Sequence, residues 1–363
     1  MSDATAMMPI ANTREEVAAQ PEVLARVLQE LAPQIEALAQ QMAAQGINQV
    51  LASGSGDSWF AAQGVRLAWE LYAGVPFEPL QAYEYAVYGR LGENTHTAHF
   101  VISSSGRPTT TWDALDRALA TSGLVIGVTD NPATDNPFVA KPPVALVPHG
   151  SKVGWPAQTT TATIAALISL AIAFGKARGH LDETTAAQLN EQLAAIPGQL
   201  TAVLEKSTSW ANTFVDTLDD SRCHYTFVGG GPNVAVAQNG SALLAAGPQE
   251  AGMALTVEEF HHALRIGVVK PHDVVVLVAP QSGVESRCRD TARVVRAWGS
   301  RLLVIATPET ADLIEDPAEG IVLPAVTDAM SPLLTIPPLH ALSIALAEKK
   351  VAAGYQRPKS VPQ

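Results

Sequence analysis

The residues of this chain with the clearest chemical promise are hydroxyls. Ser55 and Ser58 lie in the stretch LASGSGDSWFAAQG (51–64), where a short apolar run becomes a Gly/Ser turn and then a helix. Ser103, Ser104, Ser105, Thr109, Thr110 and Thr111 lie in ISSSGRPTTT (102–111), directly after a second apolar run. Backbone N–H groups at two helix N-termini, joined by hydroxyls, converge naturally on one tetrahedral anion, and Gly56 lets the first turn close on it. Taken singly, each hydroxyl is equally a helix cap, and Thr110 with Asp113 would form a capping box. Taken as a set, they read as an anion site. Asp57 stands inside the first turn, where a carboxylate within ~5 Å of a phosphate dianion costs on the order of a few kcal/mol unless paired or turned away. Either Asp57 is an N-cap pointing aside, or the ligand differs. It would then be a singly charged anion such as a sulfonate, or a sugar hydroxyl, with Arg107 supplying positive charge. A dinucleotide is disfavoured: Gly54 and Gly56 give G-x-G, but the third glycine of the fingerprint falls at Trp59. In the second half Gly229 and Gly231 are followed by Val234, and the fingerprint fails again.

Positioning such loops requires strands that feed helices. Strand and helix signals alternate along most of the chain, which implies an α/β fold with largely parallel sheets. The pattern also repeats. QVLASGSGDS, HFVISSSG and LVIGVTDNP in the first half are matched by YTFVGGGPN, DVVVLVAPQSG and LLVIATP in the second. Gly56 to Gly106 spans 50 residues and Gly231 to Gly283 spans 52, as expected of two copies of one unit. The organisation expected is an N-terminal helical segment (1–47), a first α/β domain (48–180), a helical connection (181–218), a second α/β domain (219–350) and a tail (351–363).

Composition narrows the function. The 363 residues are 47% hydrophobic and 16% charged, enough to bury a sizeable core. The net charge of −12 and the absence of any basic run argue against nucleic acid or an anionic membrane as partner. MSDATAMMPIANTREE lacks the basic start and apolar core of a secretory signal. The apolar stretch Thr161 to Gly175 is expected to be too short to cross a bilayer and to form a buried helix. Cys223 and Cys288 stand alone, which fits a reducing cytoplasm better than a disulfide framework or a zinc site.

These features together resemble the sugar isomerase (SIS) domain family, and more closely the double-SIS proteins typified by the isomerase half of glucosamine-6-phosphate synthase. SIS-type deaminases and fructosamine-phosphate deglycases are relatives. SGDSWFAAQGVRLAWELYAGVPFE looks like the family's phosphate loop, helix and A-G-x-P turn, and ISSSGRPTTT sits where it has S-x-S-G-x-T. KVGWPAQTTTATIAAL is similar to its S-T-K-x-F-T region, VEEFHHAL to its G-E-x-x-H-G-P, and the closing KSV to its lysine-bearing tail. The resemblance covers nearly the whole chain and implies two SIS-type, flavodoxin-like αβα domains. It also implies a cofactor-independent homodimer with a shared active site, acting on an anionic sugar. His262, from the partner subunit, would assist ring opening with His261 beside it, and Lys359 would fold over the site. No metal is implied. Aldose–ketose isomerisation through an enediol is the leading expectation, and deamination or deglycation of an amino sugar phosphate is next. The chain departs from the pattern in two places. Pro108 takes the place of the loop threonine, and Ala246 takes that of the family's proton-moving glutamate. Glu250, Glu258, Glu259 or His262 must then move the proton, Glu259 matching a structural glutamate of the family. Otherwise the chain is a non-catalytic sugar-phosphate sensor. With so little chain ahead of the first copy, an attached glutaminase domain is not expected.

Overall fold

The computed structural model describes residues 9–89, 92–107, 109–218, 224–268 and 270–355. Three helices come first, α1 (Ile10–Ala18), α2 (Gln20–Glu30) and α3 (Ala32–Ala44), with Pro21 and Pro33 in the opening turns of the second and third. Proline is tolerated there because the first-turn N–H has no helical partner.

The first half runs β1 (Gln49–Gly54), α4 (Asp57–Ala68), β2 (Phe77–Gln81), α5 (Ala82–Tyr88), β3 (Thr97–Ile102) and α6 (Thr110–Leu119). It continues through β4 (Leu124–Val128), α7 (Pro137–Ala140), β5 (Val144–Leu146) and α8 (Gln158–Ala177). The 34-residue helix α9 (Glu183–Asp216), with Pro197 inside it, crosses to the second half. That half runs β6 (Tyr225–Gly229), α10 (Asn233–Ala246), β7 (Gly252–Thr256), α11 (Val257–Glu259), α12 (Arg265–Val268) and β8 (Val274–Ala279). It ends with α13 (Glu285–Ala297), β9 (Arg301–Ala306), β10 (Gly320–Val322), α14 (Pro332–Thr335) and α15 (Pro337–Ala352).

Each half forms a five-stranded parallel sheet, in the orders β2-β1-β3-β4-β5 and β7-β6-β8-β9-β10. The α/β architecture expected from the sequence is therefore the one observed. Every residue of β3, β4, β6 and β8 is buried. Helices cover both faces of a parallel sheet, so its inner strands read as unbroken apolar runs. The six strands legible in the sequence are the inner ones and β4 and β9. The four that carried no signal, β2, β5, β7 and β10, are the sheet edges: short, partly exposed and, in β2, interrupted by Pro79.

Alternate residues of the strands feed different cores. Val50, Ala52, Phe100 and Ile102 of the first sheet join Tyr225, Phe227, Val274 and Val276 of the second in one continuous cluster. The opposite faces pack separate, smaller clusters, around Tyr85, Val101, Leu115 and Phe138 in the first half and around Val228, Phe260, Val275 and Leu277 in the second. One expectation needs correction. The apolar helix α8 is 20 residues long, so length alone does not keep it out of a bilayer. Its burial does: 78% of its most apolar window lies inside the protein, as a core helix between the halves.

Candidate functional site

β1 and β3 are paired neighbours, with Ser53 opposite Val101, so the turns that follow them emerge side by side. The first turn is tightly built. A Cβ on Gly54 would lie 2.8 Å from the backbone of Ser58, and Gly56 has a φ of 55°, so both positions require glycine. Gly56 stands at the N-cap of α4, and no side chain caps that helix. The N–H groups of its first turn thus face the space beside the loop. Ser55 Oγ accepts from Gln81 Nε2 at 3.2 Å, and Ser58 is half-buried in the first turn of α4.

In the second turn Ser103 N–H donates to Val128 O, and Ser105 Oγ accepts from Arg107 N–H at 3.3 Å. Arg107 itself is exposed. Thr109, not Thr110, is the N-cap of α6, its hydroxyl accepting from Thr111 N–H. The capping box expected at Thr110 is therefore corrected by one residue. Pro108 lies outside the described residues, as does Lys359.

Asp57 is the first residue of α4, not its N-cap. Its Oδ1 accepts from Asn239 Nδ2 at 3.0 Å, across to α10 of the second half. Burial raises its pKa, opposed first by the charge of Lys152 and then by its hydrogen bonds. A second carboxylate, passed over in the sequence, lies beyond the second turn. Asp130, just after β4, accepts from Gly150 N–H at 2.8 Å and from the hydroxyl of Ser104. Its own N–H donates to Ser104 O at 3.0 Å. Burial pushes its pKa up to about 7, against the pull of those hydrogen bonds and of Lys152. Ser104 is thus held by an acid at the middle of the hydroxyl loop.

The loop carrying Gly150 and Lys152 is anchored from the N-terminal helices. Glu16 of α1 accepts from Ser151 Oγ (2.9 Å), Val153 N–H (2.5 Å) and Gly154 N–H (3.1 Å). Arg26 Nη2 donates to the carbonyl of His149, whose φ of 59° is a left-handed conformation rare for a non-glycine residue.

The other expected site residues belong to the second half. Glu250 follows α10 and pairs with Lys350 of α15 at 2.5 Å, largely out of solvent. Glu259 is exposed. His261 Nε2 lies 3.0 Å from Thr291 Oγ1. His262 is exposed, 3.5 Å from Glu258, which is itself gripped by Arg287 through two bonds of 2.6 and 2.9 Å. The Arg287 bonds hold the Glu258 carboxyl below its ordinary range. His262 also breaks a π-helical turn with a ψ of −152°, a local irregularity of the kind that collects at functional positions. One chain therefore gathers Ser55, Gly56, Asp57, Ser58, Ser103, Ser104, Ser105 and Arg107 at the edge of the first sheet, and places Glu259, His261 and His262 after β7 of the second. Among the described residues no group of three His, Cys, Asp or Glu side chains is arranged to hold a metal ion.

Two parallel five-stranded sheets with hydroxyl-lined turns at the carboxyl edge of the first define a double-SIS architecture, which solved sugar-phosphate enzymes share. The C-terminal domain of glucosamine-fructose-6-phosphate aminotransferase from Francisella tularensis matches 93% of this chain and 96% of its own, with a TM-score of 0.83 at 20% identity. Tagatose-6-phosphate ketose/aldose isomerase from Escherichia coli matches 93% and 92%, with a TM-score of 0.71 at 14% identity. In sequence, the chain is 26% identical over 343 residues to glutamine–fructose-6-phosphate aminotransferase (isomerizing) from Pseudomonas syringae pv. tomato, covering 93% of this chain and 56% of that one. The chain spans about half the length of the curated relatives it matches. No protein-family model matches it.

Proposed function

We propose that the chain is an aldose–ketose isomerase that acts, without a cofactor, on the open-chain form of an anionic sugar, phosphorylated or sulfonated. The observation that carries this reading is the pair of hydroxyl-bearing turns set side by side after β1 and β3, in a fold shared with an isomerising aminotransferase and a ketose/aldose isomerase. In this reading Ser55, Ser58, Ser103, Ser105 and the N–H groups opening α4 hold the anion, and Arg107 adds charge from the rim. The protein works as a homodimer, and His262 of the other copy protonates the ring oxygen as the ring opens. A base then takes the C2 proton, electrons shift to give the enediol, and the proton returns at C1. Glu250, Glu259 and His262 are the groups available for that transfer. Glu250 is favoured by its place at the end of α10, whose Asn239 touches Asp57. The tail lysine, Lys359, would close over the sugar.

The test is incubation with a panel of sugar phosphates, amino sugar phosphates and sulfonated sugars in deuterated water. Deuterium at C1 or C2 without ammonia supports isomerisation, whereas released ammonia moves the assignment to a deaminase or deglycase. Ala246, where the family resemblance leads one to expect a glutamate, favours a second reading as a sugar-phosphate sensor. Tight binding with no turnover of any panel member would establish that one. If Glu250→Ala keeps the full rate, Glu250 is not the base.

A further inference from the structure

We propose that the loop site takes its tetrahedral oxyanion together with one proton, held on Asp130. This rests on the reading of the two turns as an anion site. Hydrogen-bond arithmetic carries it. Ser104 has one hydroxyl hydrogen, and in the unliganded protein it points to Asp130, whose other oxygen takes the Gly150 N–H at 2.8 Å. While Asp130 is ionised, Ser104 therefore turns only lone pairs toward an arriving anion. Once Asp130 is protonated, its O–H donates to Ser104 Oγ, and the serine hydrogen is released to the anion. The acid thus switches the middle hydroxyl of the loop from repelling to binding an oxyanion.

The surrounding charges point the same way. An anion seated between the turns meets Asp57 at the start of α4 and Asp130 after β4, two carboxylates that both disfavour it. Lys152 offsets them from the 147–157 loop, and its charge reaches both acids. The remaining titratable or charged groups on the elements around Asp130 are His149 beside Gly150, Arg107 on the hydroxyl loop and Asp135 on the turn after β4, all exposed. Asp57 already has a neutral donor in Asn239. Asp130 is the acid whose partner belongs to the loop itself, so it is the group that changes state when the anion arrives. Its titration near pH 7 places the switch at neutral pH.

Inorganic sulfate is the probe, because it does not titrate in this range. Calorimetric titration of the full chain at constant ionic strength, from pH 6 to 9, should show affinity falling by about tenfold per pH unit above the Asp130 transition. Buffers of different ionisation enthalpy should report uptake of close to one proton at pH 8. Asp130→Asn, whose amide can donate to Ser104 as the protonated acid does, should bind sulfate with the low-pH affinity at every pH. Asp57→Asn should keep the slope, and melting curves check that each variant is folded. Flat binding by the parent protein, or an unchanged slope in Asp130→Asn, overturns the proton-linked site while leaving the anion site standing. No sulfate binding at any pH overturns the anion site, and this inference with it.

Discussion

The two halves carry the same device in different states. Gly56 after β1 and Gly231 after β6 share a φ of 55°, and each leads into a helix with no capping side chain. In the first half the neighbouring turn offers hydroxyls. In the second, the equivalent turn after β8 is occupied by the protein itself. Gly283 N–H donates to the carboxylate of Asp328, and Asp328 Oδ2 would lie 3.9 Å from a Cβ at Gly231. A carboxylate of the chain thus sits where an oxyanion would. The backbone geometry that cradles an anion is common to both halves, and what differs is whether the chain supplies the anion. Sequence alone ranked the halves the other way in one respect, since GGGPN looks more like a phosphate loop than SGSGD does.

The comparison can be broken at four points. The largest effect is expected in the proposed reaction itself. His262→Ala should lower kcat by roughly 10²–10⁴-fold while leaving sulfate affinity intact, because binding is assigned to the first half and proton transfer to the second. Steady-state kinetics beside calorimetry would show it, and a matching loss of sulfate affinity would refute the division of labour. Glu16→Ala comes next. It strips the Val153 and Gly154 N–H groups of their acceptor and should cost about 2–3 kcal/mol in urea unfolding. Sulfate binding at the first turns should weaken with it, because the Lys152 loop loses its anchor.

A third test uses pH. Burial lowers the pKa of His340 to about 3, and its Nε2 has no partner among the described residues. A depressed histidine keeps its stabilising neutral form above the unfolded pKa of about 6.5, and stability is lost as pH falls below that value, by about 1.4 kcal/mol per unit. Unfolding free energies at pH 7 and 5 should differ by about 2 kcal/mol more in the parent than in His340→Met. Because α15 contacts both halves, the two sheets should melt together; separate acid transitions would show that they are independent. The smallest effect is the most specific. Asp328→Ser should change stability by no more than about 1 kcal/mol, since burial already raises that acid's pKa and leaves its Oδ1 unpartnered among the described residues. It should raise sulfate stoichiometry from one per chain to two. A stoichiometry that stays at one would mean the second turn is no cradle.

Much of this was legible in the residues. The inner strands announce themselves as buried apolar runs, and the serine turns follow them directly. The sheet edges were silent because partly exposed strands of three to five residues carry little periodicity. The chemistry around the turns was silent for another reason. Asp57 meets Asn239 across 182 residues, and Glu16 reaches Gly154 across 138, pairings no local pattern encodes. Asp130 was in plain view within LVIGVTDNP, but only the fold reveals that its carboxyl faces Ser104. The cap of α6 shifted by one residue because three consecutive threonines offer the same chemistry, and only the chain path selects Thr109.

The continuous apolar cluster that joins the two sheets has a practical consequence for anyone dividing the gene. Each half turns one face of its sheet to a private core and the other to its counterpart, so each half is the other's solvent. Expressed separately, either piece would present to water a surface built for burial, and insoluble product is the expected result. The seam between the copies is a boundary in the sequence and the interior of the molecule.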